Sequence, residues 1–183
     1  MMKRQREDVL VRRSVCVERI PDGSPIDLEA GTLAQITQAL GSSFTLVVEG
    51  QLVRLRGADA DAIGKKEPAA LALPDVVEAK DVSDLVWQTL RTCYDPEIPV
   101  NIVDLGLVYE LRFEPLQEAD KVRVVIDMTL TAPGCGMGEA IANEVCDKVL
   151  ALPRVGEITV NMVFDPPWNR SMMSEAALLS LGL

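Results

Sequence analysis

The chain has 183 residues, of which 48% are hydrophobic and 25% charged, with a formal net charge of −10 and a pI near 4.5. That size and apolar content can build one domain or two small ones and exclude bulk disorder, and the acidic balance argues against a nucleic-acid footprint, which needs a basic stripe. No stretch approaches the roughly 18 apolar residues that span a bilayer, and the start of the chain lacks the apolar run of a signal peptide, so the expectation is a soluble, cytoplasmic protein without a membrane partner.

Apolar residues alternate at Val9, Val11, Val15 and Val17, which reads as one half-buried strand ending at the turn Pro21-Asp22-Gly23-Ser24-Pro25. Residues 32–38 alternate less cleanly around Leu33 and Ile36. Residues 43–48 and 52–55 then flank Glu49-Gly50-Gln51, a tight hairpin signal. Four short strands punctuated by Gly and Pro predict a small β-barrel of SH3-like size over residues 8–64, with no helix. Residues 65–74, bracketed by Pro68 and Pro74 and lacking a period, read as a linker.

The second domain, 75–168, opens on a helix that Asp81 or Ser83 can cap, with Val82, Leu85, Val86, Leu90 and Cys93 on one face. Pro96 and Pro99 end any helix, and residues 95–106 form a loop. Strands are expected at 107–113 and 122–129, a helix at 138–150 with Ile141, Ala142, Val145, Cys146 and Val149 on one stripe, and a last strand at 158–164. The order α-β-β-α-β predicts a two-layer α+β domain, with a tail at 169–183 carrying a short helix from Ser171 to Leu181.

The four cysteines, at 16, 93, 135 and 146, show neither a C-x-x-C pair nor structural-zinc spacing, and the chain has no histidine. Cys93 and Cys146 fall on core faces; Cys16 falls on an accessible strand face. Cys135 differs from all three. It sits in Thr131-Ala132-Pro133-Gly134-Cys135-Gly136 on a strand-to-helix turn, where glycines leave space beside the sulfur and free helix amides favour thiolate. The bland reading is a small buried hydrophobe; Pro133 and the flanking glycines argue against an ordinary core position.

Asp95, Glu97 and Asp104 place three acids in one proline-rich loop. They are either a solvated face or partly buried ligands beside Cys135, and Asp95, before Pro96, can instead cap the turn through its own backbone. Without histidine, Cys135 must find its helpers among backbone amides, carboxylates, lysines or another protein. Three readings stand: a carrier of metal or cluster, a thiol enzyme with Cys135 as nucleophile, and a protein-binding module.

Residues 75–168 resemble the small domain shared by SufT-like, PaaD-like and eukaryotic cytosolic iron–sulfur targeting proteins. The resemblance rests on Asp95-Pro96-Glu97-Ile98-Pro99, Asp104-Leu105-Gly106-Leu107-Val108-Tyr109, residues 129–135 and Asp165-Pro166-Pro167-Trp168. The first half is similar to the extra domain of SufT proteins in Ile20-Pro21-Asp22-Gly23, Gln38-Ala39-Leu40-Gly41, Phe44-Thr45-Leu46 and residues 57–64. The resemblance implies a maturation factor for iron–sulfur proteins rather than an enzyme, with Cys135 as the key thiolate and candidate metal or cluster ligand. The acidic loop of Asp95, Glu97 and Asp104 and the turn residues Thr131, Pro133, Gly134 and Gly136 would support it. A lone thiolate plus carboxylates is too few ligands for four-cysteine closure, so a cluster or iron would be held transiently. The implied partners are the assembly machinery and client apoproteins, with a homo-oligomer left open.

Overall fold

Short β-branched runs separated by turns dominate the first third of the chain. In the computed structural model, which describes residues 6–67, 79–118, 120–132 and 136–183, they form six strands. These are β1 (Glu7–Leu10), β2 (Val15–Arg19), β3 (Pro25–Leu28), β4 (Leu33–Leu40), β5 (Ser43–Val48) and β6 (Gln51–Arg56). All pairings are antiparallel, in the order β1-β4-β5-β6-β2-β3. The alternation closes a core of Val11, Val15, Val17, Ile36, Leu46, Val53 and Leu55. The β5–β6 hairpin turns at Glu49-Gly50 as expected, with both residues at positive φ and Val48 paired with Gln51.

Three expectations for this region need correction. The single strand over Val9–Val17 is two, because the chain leaves the sheet at Arg12 and Arg13. Arg12 donates its N–H to the Ala62 carbonyl, and the Arg13 guanidinium bonds Asp59 and Asp61. Pro25, read as the last residue of a turn, opens an edge strand on β2, Pro25–Leu28, where proline at the first position is tolerated. Finally, residues Gly57–Ile63 form a 3-10 helix closed by left-handed Gly64, so the region is not helix-free.

The remaining elements are α1 (Ala79–Leu90), β7 (Val108–Pro115), β8 (Val122–Met128), α2 (Gly138–Leu150), β9 (Val155–Met162) and α3 (Glu175–Leu181). The order of the first five is the predicted α-β-β-α-β, and the protein is mixed α+β. β7 and β8 pair antiparallel and β8 and β9 parallel. Val124, Ile126 and Met128 of the central strand, with Val86, Leu90, Ile141, Val145 and Val149 of the helices, are among the buried core.

Here too the boundaries shift for physical reasons. Asp81 and Ser83 lie inside α1 rather than at its cap, because Ala79 and Lys80, good helix formers without an apolar signal, already belong to it. β9 starts three residues early and includes Gly156, read as a stop; a β-carbon there would stand 2.8 Å from Leu116 Cδ1, so glycine serves close approach. The expected tail helix splits into a 3-10 turn, Arg170–Met172, and α3, because Ser174 caps α3 by accepting from the Ala177 N–H at 3.1 Å. Most of the expected linker, residues 68–74, lies outside the described residues.

The chain divides into two compact units, Met1–Ala70 with Tyr94–Pro99 and Leu71–Cys93 with Val100–Leu183.

Candidate functional site

An antiparallel hairpin followed by a parallel crossover brings particular chain ends together. β7 begins where β8 ends, with Val108 opposite Met128, and the parallel β9 ends beside β8. The pairing extends past the strands: Thr129 donates its N–H to the Leu107 carbonyl and Val163 to the Met128 carbonyl, both at 2.8 Å. Residues 104–109, 129–131 and 163–168 therefore meet at one edge of the sheet. The carboxyl ends of parallel strands are where open α/β sheets bind ligands.

The start of α2 belongs to the same edge. A β-carbon on Gly138 would stand 2.6 Å from Leu130 Cδ1 and 3.2 Å from Met162 Cε, so the first turn packs directly on the ends of β8 and β9. Among the described residues no side chain caps that helix, whose N-cap residue Met137 is itself helical and fully buried. Uncapped helix amides carry partial positive charge and favour an anion or thiolate.

Asn101 shapes the loop ahead of β7. Its Oδ1 accepts the N–H groups of Val103 and Asp104, and its Nδ2 donates to Asp104 Oδ2 at 2.6 Å. The Asp104 carbonyl accepts from the Ser174 N–H at 2.8 Å. Half-buried Trp168 donates its indole N–H to the Leu105 carbonyl at 2.8 Å, and the Tyr109 hydroxyl donates to the Pro166 carbonyl at 2.8 Å. Asp104-Leu105-Gly106 and Asp165-Pro166-Pro167-Trp168, far apart in sequence, are thus one docked assembly.

Of the predicted site residues, Asp104 lies at this edge with half-buried Thr131 and exposed Gly136 of the turn. Pro133, Gly134 and Cys135 lie outside the described residues. Asp95 and Glu97 belong to the first unit. There the Asp95 carbonyl accepts from Gln38 Nε2 and the Pro96 carbonyl from the buried Thr45 hydroxyl. Buried Asp95 folds its own Oδ1 back onto the Glu97 and Ile98 N–H groups, at 2.8 Å each, the turn-capping alternative that its position before proline offered. Desolvation pushes its carboxyl above the ordinary range, partly offset by the N–H groups of Ile98 and Glu97. Glu97 is exposed.

Cys93 is buried and Cys16 exposed, as their faces predicted. Cys146 is only half-buried, a correction to its core reading: it flanks the stripe of Ile141, Val145 and Val149 and adjoins exposed Asp147. Burial first, and Asp147 second, push its thiol pKa up. Among the described residues no three His, Cys, Asp or Glu side chains gather as a metal-binding group.

Sequence reasoning did not single out Asn101 or Tyr109 as parts of this edge, nor Thr129 as an isolated group. The Thr129 side chain is 1% exposed, and its hydroxyl has no partner among the described residues. The signal available for Asn101 was its place three residues before Asp104, the spacing of a side chain that caps a turn.

Residues 83–160, from within α1 to within β9, match the iron–sulfur cluster assembly protein family. The chain is similar to an Fe-S protein maturation auxiliary factor of Porphyromonas gingivalis, 46% identical over 97 residues that cover 53% of this chain and 88% of that protein. It is also similar to the Fe-S protein maturation auxiliary factor SufT of Staphylococcus aureus, 39% identical over 89 residues covering 49% and 96% of the two chains. A solved structure of a DUF59 domain from Bacillus anthracis shares 39% identity over 57% of this chain and 94% of its own, with a TM-score of 0.48. No helix among the described residues is long and apolar enough to cross a membrane.

Proposed function

The chain belongs to the iron–sulfur cluster assembly protein family, and on that premise we propose that it acts in the maturation of iron–sulfur proteins as a carrier or adaptor. The observation that carries this reading is the extent of the likeness: the alignment takes in 88% of a named maturation factor, and the family match over residues 83–160 contains residues 104–109 and 129–131 of the edge.

In this reading Cys135 is the working thiolate, favoured by the uncapped start of α2. Iron or a nascent cluster is cargo rather than a resident group. The chain has no histidine and a single cysteine in the turn, so a four-cysteine cluster cannot close on this motif alone. Missing ligands would come from the donor machinery, the client apoprotein or a second copy. The antiparallel sheet of short strands supports taking the first unit for an SH3-like barrel, an accessory to the assembly domain spanning 75–168. Four cysteines without C-x-x-C or disulfide-framework spacing suit a reducing, cytoplasmic setting.

The experiment is anaerobic. The protein is incubated with iron and sulfide, its absorption is recorded, and it is then mixed with an apo-ferredoxin whose four-cysteine site reports cluster arrival. Wild type is expected to speed cluster formation on the client, and Cys135→Ser to lose most of that effect while remaining folded. Equal delivery by the two proteins would remove Cys135 from the mechanism; no delivery by either would remove the carrier reading.

A further inference from the structure

The three-stranded sheet has two outer edges, and they are built differently. β7 carries a register break between Val108 and Glu110, three charged residues at Glu110, Arg112 and Glu114, and a terminal Pro115. Bulges, charges and proline are the devices by which sheets block edge-to-edge pairing. β9 lacks them. It has no proline, lysine or arginine, and its one charged side chain, Glu157, is already held by Arg123 Nε at 2.7 Å.

The parallel ladder fixes which backbone groups remain. Val163 gives its N–H to Met128, and bonding residues alternate along a parallel pair, so Thr159 and Asn161 face β8 while Ile158, Val160 and Met162 turn N–H and C=O outward. Those outward groups have no backbone partner among the described residues. Their side chains are half-buried, whereas the register partners Val124, Ile126 and Met128 on the central strand are 0% exposed.

We propose that the β9 edge pairs antiparallel with the β9 edge of a second copy of this chain, about a two-fold axis through Thr159. The strand is complementary to itself in that register. Ile158 falls opposite Val160, a pair whose backbone groups point outward and so exchange N–H···O bonds, while Met162 falls opposite Gly156, the extra residue of the break, which leaves room for it. Glu157 falls opposite Asn161, so no like charges meet. The apolar side of each strand continues onto the apolar side of the other, on the face where Met162 meets the start of α2. An isologous contact requires this self-matching, and the inference is independent of the functional reading above.

The test uses the full chain. Sedimentation over a concentration series is expected to show a monomer–dimer equilibrium. Thr159 would face its own copy as a non-hydrogen-bonded pair with Cα atoms about 4.5 Å apart, inside the roughly 4.4–6.8 Å range of disulfides. Thr159→Cys should therefore link to itself under mild oxidant, with the bridge mapped by mass spectrometry against wild type. Glu157→Cys should not, since its own counterpart lies on the order of 13 Å away along the strand. Val160→Pro removes an outward N–H that β8 does not use, so it should give a folded monomer; if it unfolds, the cross-link decides. A wild type that stays monomeric to its solubility limit, a Thr159→Cys that does not self-link, or a folded Val160→Pro that remains dimeric would each overturn the proposal.

Discussion

Replacing Gly106 with alanine probes how firmly the tail is fastened to the loop ahead of β7. Gly106 has a φ of +72°, and a β-carbon there would stand 2.7 Å from the Met172 carbonyl carbon and 3.0 Å from Met172 Cβ, well inside the ~3.5–4.0 Å optimum between carbons. Two costs follow. The left-handed conformation alone costs alanine about 1 kcal/mol. Relieving the clash means moving residue 172, which lies between the Trp168–Leu105 bond and the Ser174–Asp104 bond and next to buried Met173. Losing one of those bonds costs about 1 kcal/mol, and partly exposing Met173 about 1–2 kcal/mol. The expected loss is about 3–4 kcal/mol, read as a shift in the urea midpoint and as altered emission from Trp168. Gly182→Ala is the control: its φ is +76° but nothing lies within 4 Å of the added carbon, so it pays at most the conformational term of about 1 kcal/mol. If Gly106→Ala costs no more than Gly182→Ala, the tail is not fastened as described.

Alkylation of the folded protein at neutral pH should label Cys135 first and buried Cys93 last, with Cys146 slowed by its raised thiol pKa; peptide mapping that finds Cys93 ahead of Cys135 would remove the open-turn reading. Two aspartates should act on acid stability with opposite sign. The Arg112 hydrogen bond, then that of Asn161, hold Asp127 below the usual carboxylate range, so its contribution is present above the unfolded pKa and lost as pH falls through the lowered folded value. Asp127→Asn should therefore be less stable at neutral pH and show a flatter acid limb, and equal limbs in pH-dependent urea melts would count against it. Asp95 is raised by burial, so the folded state holds its proton longer and stability falls as pH rises between the unfolded and folded values; Asp95→Asn should abolish that fall.

Periodicity alone made the second half legible. Strand-period alternation at Val122–Met128 and helix-period spacing at Ile141, Val145 and Val149 located β8 and α2 to within a residue, because Val124, Ile126 and Met128 of the strand and that helical stripe line a buried face. What failed was local signal overruled by distant partners. Arg12 and Arg13 break the first strand through bonds to Ala62, Asp59 and Asp61, some fifty residues on, and nothing near them in sequence says so. At the site, Asp104 and residues 129–131 share one sheet edge because β7 and β8 pair antiparallel, a pairing that the Thr129–Leu107 bond extends past the strands. The docking of Trp168 on Leu105 was beyond reach, since an indole announces only that its N–H wants a partner.

Thr129 offers the sharpest separation of folding from function at that edge. A buried hydroxyl without a partner costs about 1–3 kcal/mol, a penalty that an ordinary core position sheds by becoming valine, which has nearly the same shape. Thr89 on α1 supplies the comparison, being likewise buried with a hydroxyl that has no partner among the described residues. Both Thr129→Val and Thr89→Val should be at least as stable as wild type in urea melts, by up to about 1–2 kcal/mol. Their effects on cluster delivery to apo-ferredoxin should differ. Thr129 stands at the end of β8, two residues before Thr131 and beside Leu130, on which α2 begins. If its hydroxyl serves the cargo or the Cys135 turn, the stabilised variant delivers several-fold more slowly while Thr89→Val delivers at the wild-type rate. Delivery unchanged in both would make Thr129 a packing position, and the unsatisfied hydroxyl would then be a cost without a use.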